Sequence, residues 1–177
     1  MPDWVLAVER AYVASATGGS VATGGPRRGG GIDRARALAA LGATASRYLA
    51  VGTPRSIGLV VDDPIDAELS LEAHRTWFQP RDIRVAGATS TSLADALASD
   101  IVCVYTPIVI AASQLRRGTH VNVLGRATLD DDLQQLATVV HETPGLGALA
   151  AGLVDGRQLD ELTVFVAGDA AVALAAQ

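Results

Sequence analysis

The stretch Ser56-Ile57-Gly58-Leu59-Val60-Val61-Asp62-Asp63-Pro64-Ile65-Asp66-Ala67 decides the fold. A short unbroken apolar run passes through a turn into a helical pattern, as a buried strand does when it enters the helix crossing back over its sheet. Phosphate-binding turns at such junctions carry glycines, which let the backbone approach the anion, and the positive end of the helix faces it. Here the junction carries two acids and a proline. Asp62 and Asp63 would place negative charge at the phosphate position, and Pro64 removes a backbone N–H. Without a ligand, the same aspartates serve as a helix cap.

Downstream of this turn the alternation is regular. A helix over about Ile65–Phe78 leads to a strand Ile83–Ala86, and a short helix around Leu93–Ala98 leads to a strand Ile101–Tyr105. The segment Gln114–Arg117 precedes a strand His120–Leu124, and a helix Asp130–Ala137 precedes a strand Thr138–Val140. Closing helices are expected at Leu146–Leu153 and Asp169–Ala176, with the strand Leu162–Val166 between them. Short apolar strands alternating with helices predict a parallel sheet covered on both faces. Upstream, Trp4, Val5, Val8, Tyr12 and Val13 form one stripe of an amphipathic helix over residues 3–16, and an Ala/Leu/Arg helix runs from Asp33 to Leu49. The fold class is α/β, a Rossmann-like doubly wound parallel sheet with flanking N- and C-terminal helices. Its expected divisions are an N-terminal helix (1–17), a Gly-rich linker (18–32) and the Rossmann-like domain (33–177).

Composition narrows the function. The chain has 177 residues, enough for one domain with a substantial core. Only 4% of residues are aromatic while Ala and Gly abound, so helices are expected to pack closely through small side chains. No apolar run reaches the roughly 20 residues that cross a bilayer, and no basic segment precedes an apolar one at the start, so a soluble cytoplasmic protein is expected. The net charge of -5 argues against a nucleic-acid partner. All 14 basic residues are arginine, so a Schiff base, a P-loop lysine and a lysine base are excluded. Cys103 is the one cysteine and reads as a small buried hydrophobe. Three histidines without a ligating spacing predict no metal site. Asp130, Asp131 and Asp132 read as a solvated helix start rather than a cation site.

Several local signatures, taken in order, resemble the ornithine cyclodeaminase/mu-crystallin family of NAD(P)-binding proteins. Ala45-Ser46-Arg47-Tyr48-Leu49-Ala50 is similar to the end of that family's helix entering the dinucleotide domain. Ile57–Ala73 resembles its first strand-turn-helix, Ile83-Arg84-Val85 its second strand, and Asp100-Ile101-Val102-Cys103-Val104-Tyr105-Thr106-Pro107 its Asp-Ile-Val…Thr-Pro segment. The most specific match is Arg117-Gly118-Thr119-His120-Val121-Asn122-Val123-Leu124-Gly125, beside the family's Pro-Gly-Thr-His-Val-Asn…Gly. Asp160-Glu161-Leu162-Thr163-Val164-Phe165 resembles its closing Asp-Glu-Ile-Thr-Val-Phe strand.

The departures are as informative. A substrate domain of several strands usually lies between the N-terminal helix and the dinucleotide domain, and here a Gly-rich linker spans that gap. The family's lysine is absent. Its carboxylate-binding arginine falls at Ala37, or shifts to Arg36, and no Thr follows either. The Gly-x-Gly-x-x-Ala turn corresponds to Asp62, Pro64 and Ala67, and the catalytic aspartate after Gly125 meets Arg126-Ala127. The Ser-x-Gly after the last strand reads Ala167-Gly168-Asp169. What the resemblance implies is a shortened, degenerate member without the dinucleotide and substrate motifs: a pseudoenzyme, scaffold or partner subunit with no cofactor. A homo-oligomer, or a heterodimer with a full-length relative, is expected to cover surface left by the missing half.

The alternative is an enzyme on the same scaffold, with residual NAD(P)-dependent imine or amino-acid chemistry or a repurposed cofactor-free reaction. Thr106, Asn122 and Gly125 are expected at the strand ends facing a crevice ligand. His141 and Glu142, at the end of another strand, are the candidates for a general base and its orienting acid, although a solvated turn explains them as well. Ala86-Gly87-Ala88-Thr89-Ser90 supplies no acid for a ribose hydroxyl, and Arg84 lies inside its strand. His120 is expected to pack and hydrogen-bond, and His74 to lie on the surface beside Glu72 and Arg75.

Overall fold

The computed structural model describes residues 2–17, 31–50, 52–151 and 161–168. The expected terminal helix Asp169–Ala176 and residues 18–30 of the expected linker lie outside them. Strands β1 (Ser56–Val60), β2 (Asp82–Ala86), β3 (Ile101–Val104), β5 (His120–Val123), β7 (Thr138–His141) and β8 (Thr163–Val166) form one sheet in the order β2-β1-β3-β5-β8-β7. Every pairing in it is parallel. The chain leaves β1 toward β2 on one side and places β3 on the other, so the switch point lies between β1 and β3. That is where a doubly wound sheet opens a crevice at its carboxyl ends. A two-stranded pair, β4 (Val109–Ile110) with β6 (Thr128–Leu129), sits apart from the main sheet and was not expected from the sequence.

Alternation along the strands sorts the side chains into two layers. Ile57, Leu59, Ile101, Cys103 and Phe165 face α2 (Gly31–Leu49). Val60, Val102, Val104, Val121, Val123 and Val164 face the opposite way, in one cluster with Leu97 of α4 (Leu93–Leu97) and Leu133 of α5 (Asp131–Leu136). The α4 backbone comes so close to β1 that a Cβ at Gly58 would lie 2.0 Å from the Ala96 carbonyl oxygen. Helix α2 packs on α1 (Asp3–Ala16) and α3 (Pro64–His74) through Ala35, Ala39, Ala40 and Ala43, with Val5, Leu69 and Ala73 opposite. These small side chains are how an aromatic-poor chain packs its helices closely.

Several boundaries differ from expectation. The helix expected to reach Phe78 ends at His74, and residues up to Phe78 continue as hydrogen-bonded turns. The segment expected at Gln114–Arg117 is a single 3-10 turn at Ala112–Gln114. After β7 a π turn, Glu142–Leu146, precedes the short α6 (Gly147–Ala150). No helix among the described residues is long and apolar enough to cross a membrane.

Candidate functional site

At the β1–α3 turn, Asp63 has extended backbone (φ -104°) and its carboxylate accepts the backbone N–H of Ile65 at 3.0 Å. Pro64 follows at the start of the helix, where its fixed φ suits helix entry and its missing N–H costs nothing. Asp63 thus places its own carboxylate at the end of the helix that a pyrophosphate would use. A dinucleotide bound there would meet that charge, and it would find no acid for its ribose where β2 ends at Ala86. The residues at this turn do not fit the group.

Beside the turn lies an open crevice of about 320 Å³. Arg34 and Ala35 of the first turns of α2 form one wall, Asp66 of α3 another, and Tyr105, Gly125 and Arg126 close the strand-end side. Gly125 is required by packing, because a Cβ there would fall 2.0 Å from the Tyr105 carbonyl oxygen. Burial, with repulsion from Asp63, holds the Asp66 carboxyl above its ordinary range, while Arg34 pulls it back. Of the expected crevice residues, Gly125 lines this space. The other two do not: Thr106 is buried, and its hydroxyl finds no hydrogen-bond partner among the described residues.

Asn122 is placed differently from the expectation. It lies within β5, one residue short of the strand end, and its alternation turns it under α2. There its Nδ2 donates to Ser46 Oγ at 2.8 Å and its Oδ1 lies 3.0 Å from His120 Nε2. The chain of contacts runs on in both directions. His120 Nδ1 is 2.8 Å from Thr163 Oγ1, Ser46 Oγ is 3.0 Å from His74 Nε2, and His74 Nδ1 is 2.7 Å from the Ser70 carbonyl. Only an N–H can meet that carbonyl, so His74 carries its proton on Nδ1 and accepts from Ser46 on Nε2. All six side chains of this line, from Thr163 to Ser70, are fully buried.

This corrects the surface placement of His74: burial pushes its pKa down to about 4, against the hydrogen bond to Ser70. Burial also pushes the Cys103 thiol up to about 12, against its hydrogen bonds to Asn122 and Ser70. Cys103 Sγ lies 3.7 Å from His74 Nε2. Both groups are closed to solvent, and burial works against the charge that either would carry in a thiolate–imidazolium pair. Sequence reading missed Ser46, Ser70 and His74 because only the packing of α2 on α3 and over β5 brings them together.

His141 and Glu142 part company. His141 is exposed at the end of β7, whereas Glu142 is 2% exposed, not the solvated turn that the sequence allowed. Its carboxylate accepts the Tyr12 hydroxyl from α1 and the Gly168 N–H at 2.8 Å. Burial, and then the adjacent Glu142, push the Tyr12 hydroxyl well above its ordinary pKa. Glu142 therefore ties the N-terminal helix to the end of β8. Asp130 caps α5 by accepting from Leu133 N at 2.8 Å, and among the described residues no group of His, Cys, Asp or Glu is placed to hold a metal ion.

The six parallel strands, the helices on both faces and the crevice at the switch point define a Rossmann-like α/β protein of the kind that includes NAD-binding dehydrogenases. Among solved structures, the iminosuccinate reductase of Paracoccus denitrificans in complex with NAD+ matches at a TM-score of 0.68 and 20% identity, over 83% of this chain and 63% of that one. An archaeal alanine dehydrogenase dimer with bound NAD matches at 0.62 and 22%, over 78% and 61%. The probable ornithine cyclodeaminase from Bordetella pertussis Tohama I matches at 0.63 and 20%, over 80% and 64%. At this identity the likeness is one of fold, and the chain spans about three fifths of the length of these structures. The probable ornithine cyclodeaminase among these structures carries the name of the family that the Gly-Thr-His-Val-Asn element resembles. No family model and no curated protein matches the sequence.

Proposed function

We propose that this chain uses a dinucleotide-type fold without its dinucleotide, as a non-catalytic scaffold or partner subunit that pairs with a second copy or with a longer protein of the same fold. The observation that carries this reading is the Asp63 carboxylate capping α3 at the pyrophosphate position. Three further features support it: the absence of any lysine, the buried and neutral Cys103 and His74, and the use of Glu142 as a tether. For pairing, the support is exposed apolar surface on the edge strand β2, where Ile83 and Val85 point to the same face and are 39% and 52% exposed. Size-exclusion chromatography with light scattering tests the pairing. A dimer, or a complex formed on adding a full-length relative, is expected, and a monomer that ignores such a relative overturns it.

One observation favours a second reading. The crevice between Arg34, Asp66 and Arg126 is open, as a repurposed active site requires. That reading keeps an enzyme on the scaffold, either with imine or amino-acid chemistry on NAD(P) held by the outer loops or with a reaction that needs no cofactor.

A further inference from the structure

The crevice carries charge of the opposite sign to the chain as a whole. In a protein of net charge -5, two guanidiniums, Arg34 and Arg126, line one small space with a single carboxylate, Asp66. They come from different elements, Arg34 from the second turn of the 19-residue helix α2 and Arg126 from the loop after β5. Among the described residues neither makes an ion pair or a hydrogen bond, whereas Arg47 and Arg84 are both paired. Two guanidinium forks lining one concave site are a usual means of holding a phosphate or carboxylate.

Charge and size together select the ligand. Two arginines against the one lining carboxylate favour an anion, and a phosphate has enough acceptor oxygens to meet both guanidinium forks at once. The volume, about 320 Å³, lies at the bottom of the range of roughly 300–1,000 Å³ usual for small-molecule pockets, too small for a dinucleotide lying across the sheet edge. We propose that the Arg34–Arg126 crevice binds a small phosphate-bearing molecule, at a place separate from the Asp63-capped turn. This goes beyond the scaffold reading and stands whether or not the chain pairs with another.

Calorimetric titration of the full chain with inorganic phosphate, and separately with succinate, tests the assignment. Saturable phosphate binding is expected, stronger than that of succinate. It should weaken about tenfold or more in R34Q/R126Q, a loss of about 1.4 kcal/mol or more. It should hold in R116Q/R117Q, whose arginines are exposed just before β5, at the opposite end of the sheet. Removing the opposing carboxylate in D66N should tighten it. No saturable phosphate binding, succinate bound in preference to phosphate, or equal weakening in both arginine variants would overturn the proposal.

Discussion

Single residues decide what this fold can hold. The Asp63 cap was legible in the sequence, because an aspartate before a proline at a strand–helix junction has only a few local partners and the helix amides are the nearest. His74 was not. Its neighbours Glu72 and Arg75 are polar, and nothing local reveals that Ser46 and Cys103, from α2 and β3, close over it. Its burial has a consequence in pH. The folded protein holds the imidazole neutral down to about pH 4, whereas an unfolded chain protonates it near 6.5. The unfolded state therefore binds more protons between these values, and stability is full above pH 6.5 and falls as pH drops toward 4, by on the order of 3 kcal/mol from this group. Urea denaturation at a series of pH values should show the decline, with a shallower slope in His74→Gln. An equal slope in the variant would assign the dependence elsewhere.

At the scale of elements, the apolar runs located the strands of the main sheet within a residue or two, and the central strands β1, β3, β5 and β8 most plainly, because a strand buried on both faces leaves an unbroken hydrophobic signature. The order of those strands was not readable. β8 inserts between β5 and β7, and only pairing over long sequence distances sets that arrangement. The pair β4–β6, two residues each, is too short to leave a pattern. Backbones of two elements come very close where α4 crosses β1. Gly58→Ala would drive its Cβ into the Ala96 backbone, which cannot rotate away as a side chain could. The expected cost is about 1–3 kcal/mol of unfolding free energy, read from the denaturation midpoint. A variant as stable as the parent would mean that α4 is free to move off the sheet.

On the scale of the whole molecule, two of the site candidates read from the sequence, Glu142 and Asn122, bridge elements of different layers. Glu142 takes a hydrogen bond from Tyr12 of α1, 130 residues earlier in the sequence, and another from Gly168 at the end of β8, and Asn122, backed by His120, joins the sheet to α2. Asp100 accepts the backbone N–H groups of Arg55 and Ser56, which pins the start of β1 beside β3. The crevice lined by Arg34, Asp66 and Arg126 stays open beside these layers, while the Asp63 cap occupies the turn that a pyrophosphate would use. Titration of the full chain with NADH, followed by the fluorescence of the nicotinamide, is the most direct measurement of whether the fold has left its cofactor behind. No saturable enhancement is predicted at concentrations that saturate an NAD-dependent dehydrogenase. Saturable micromolar binding would contradict the cofactor-free reading and return the chain to the enzymes whose fold it shares.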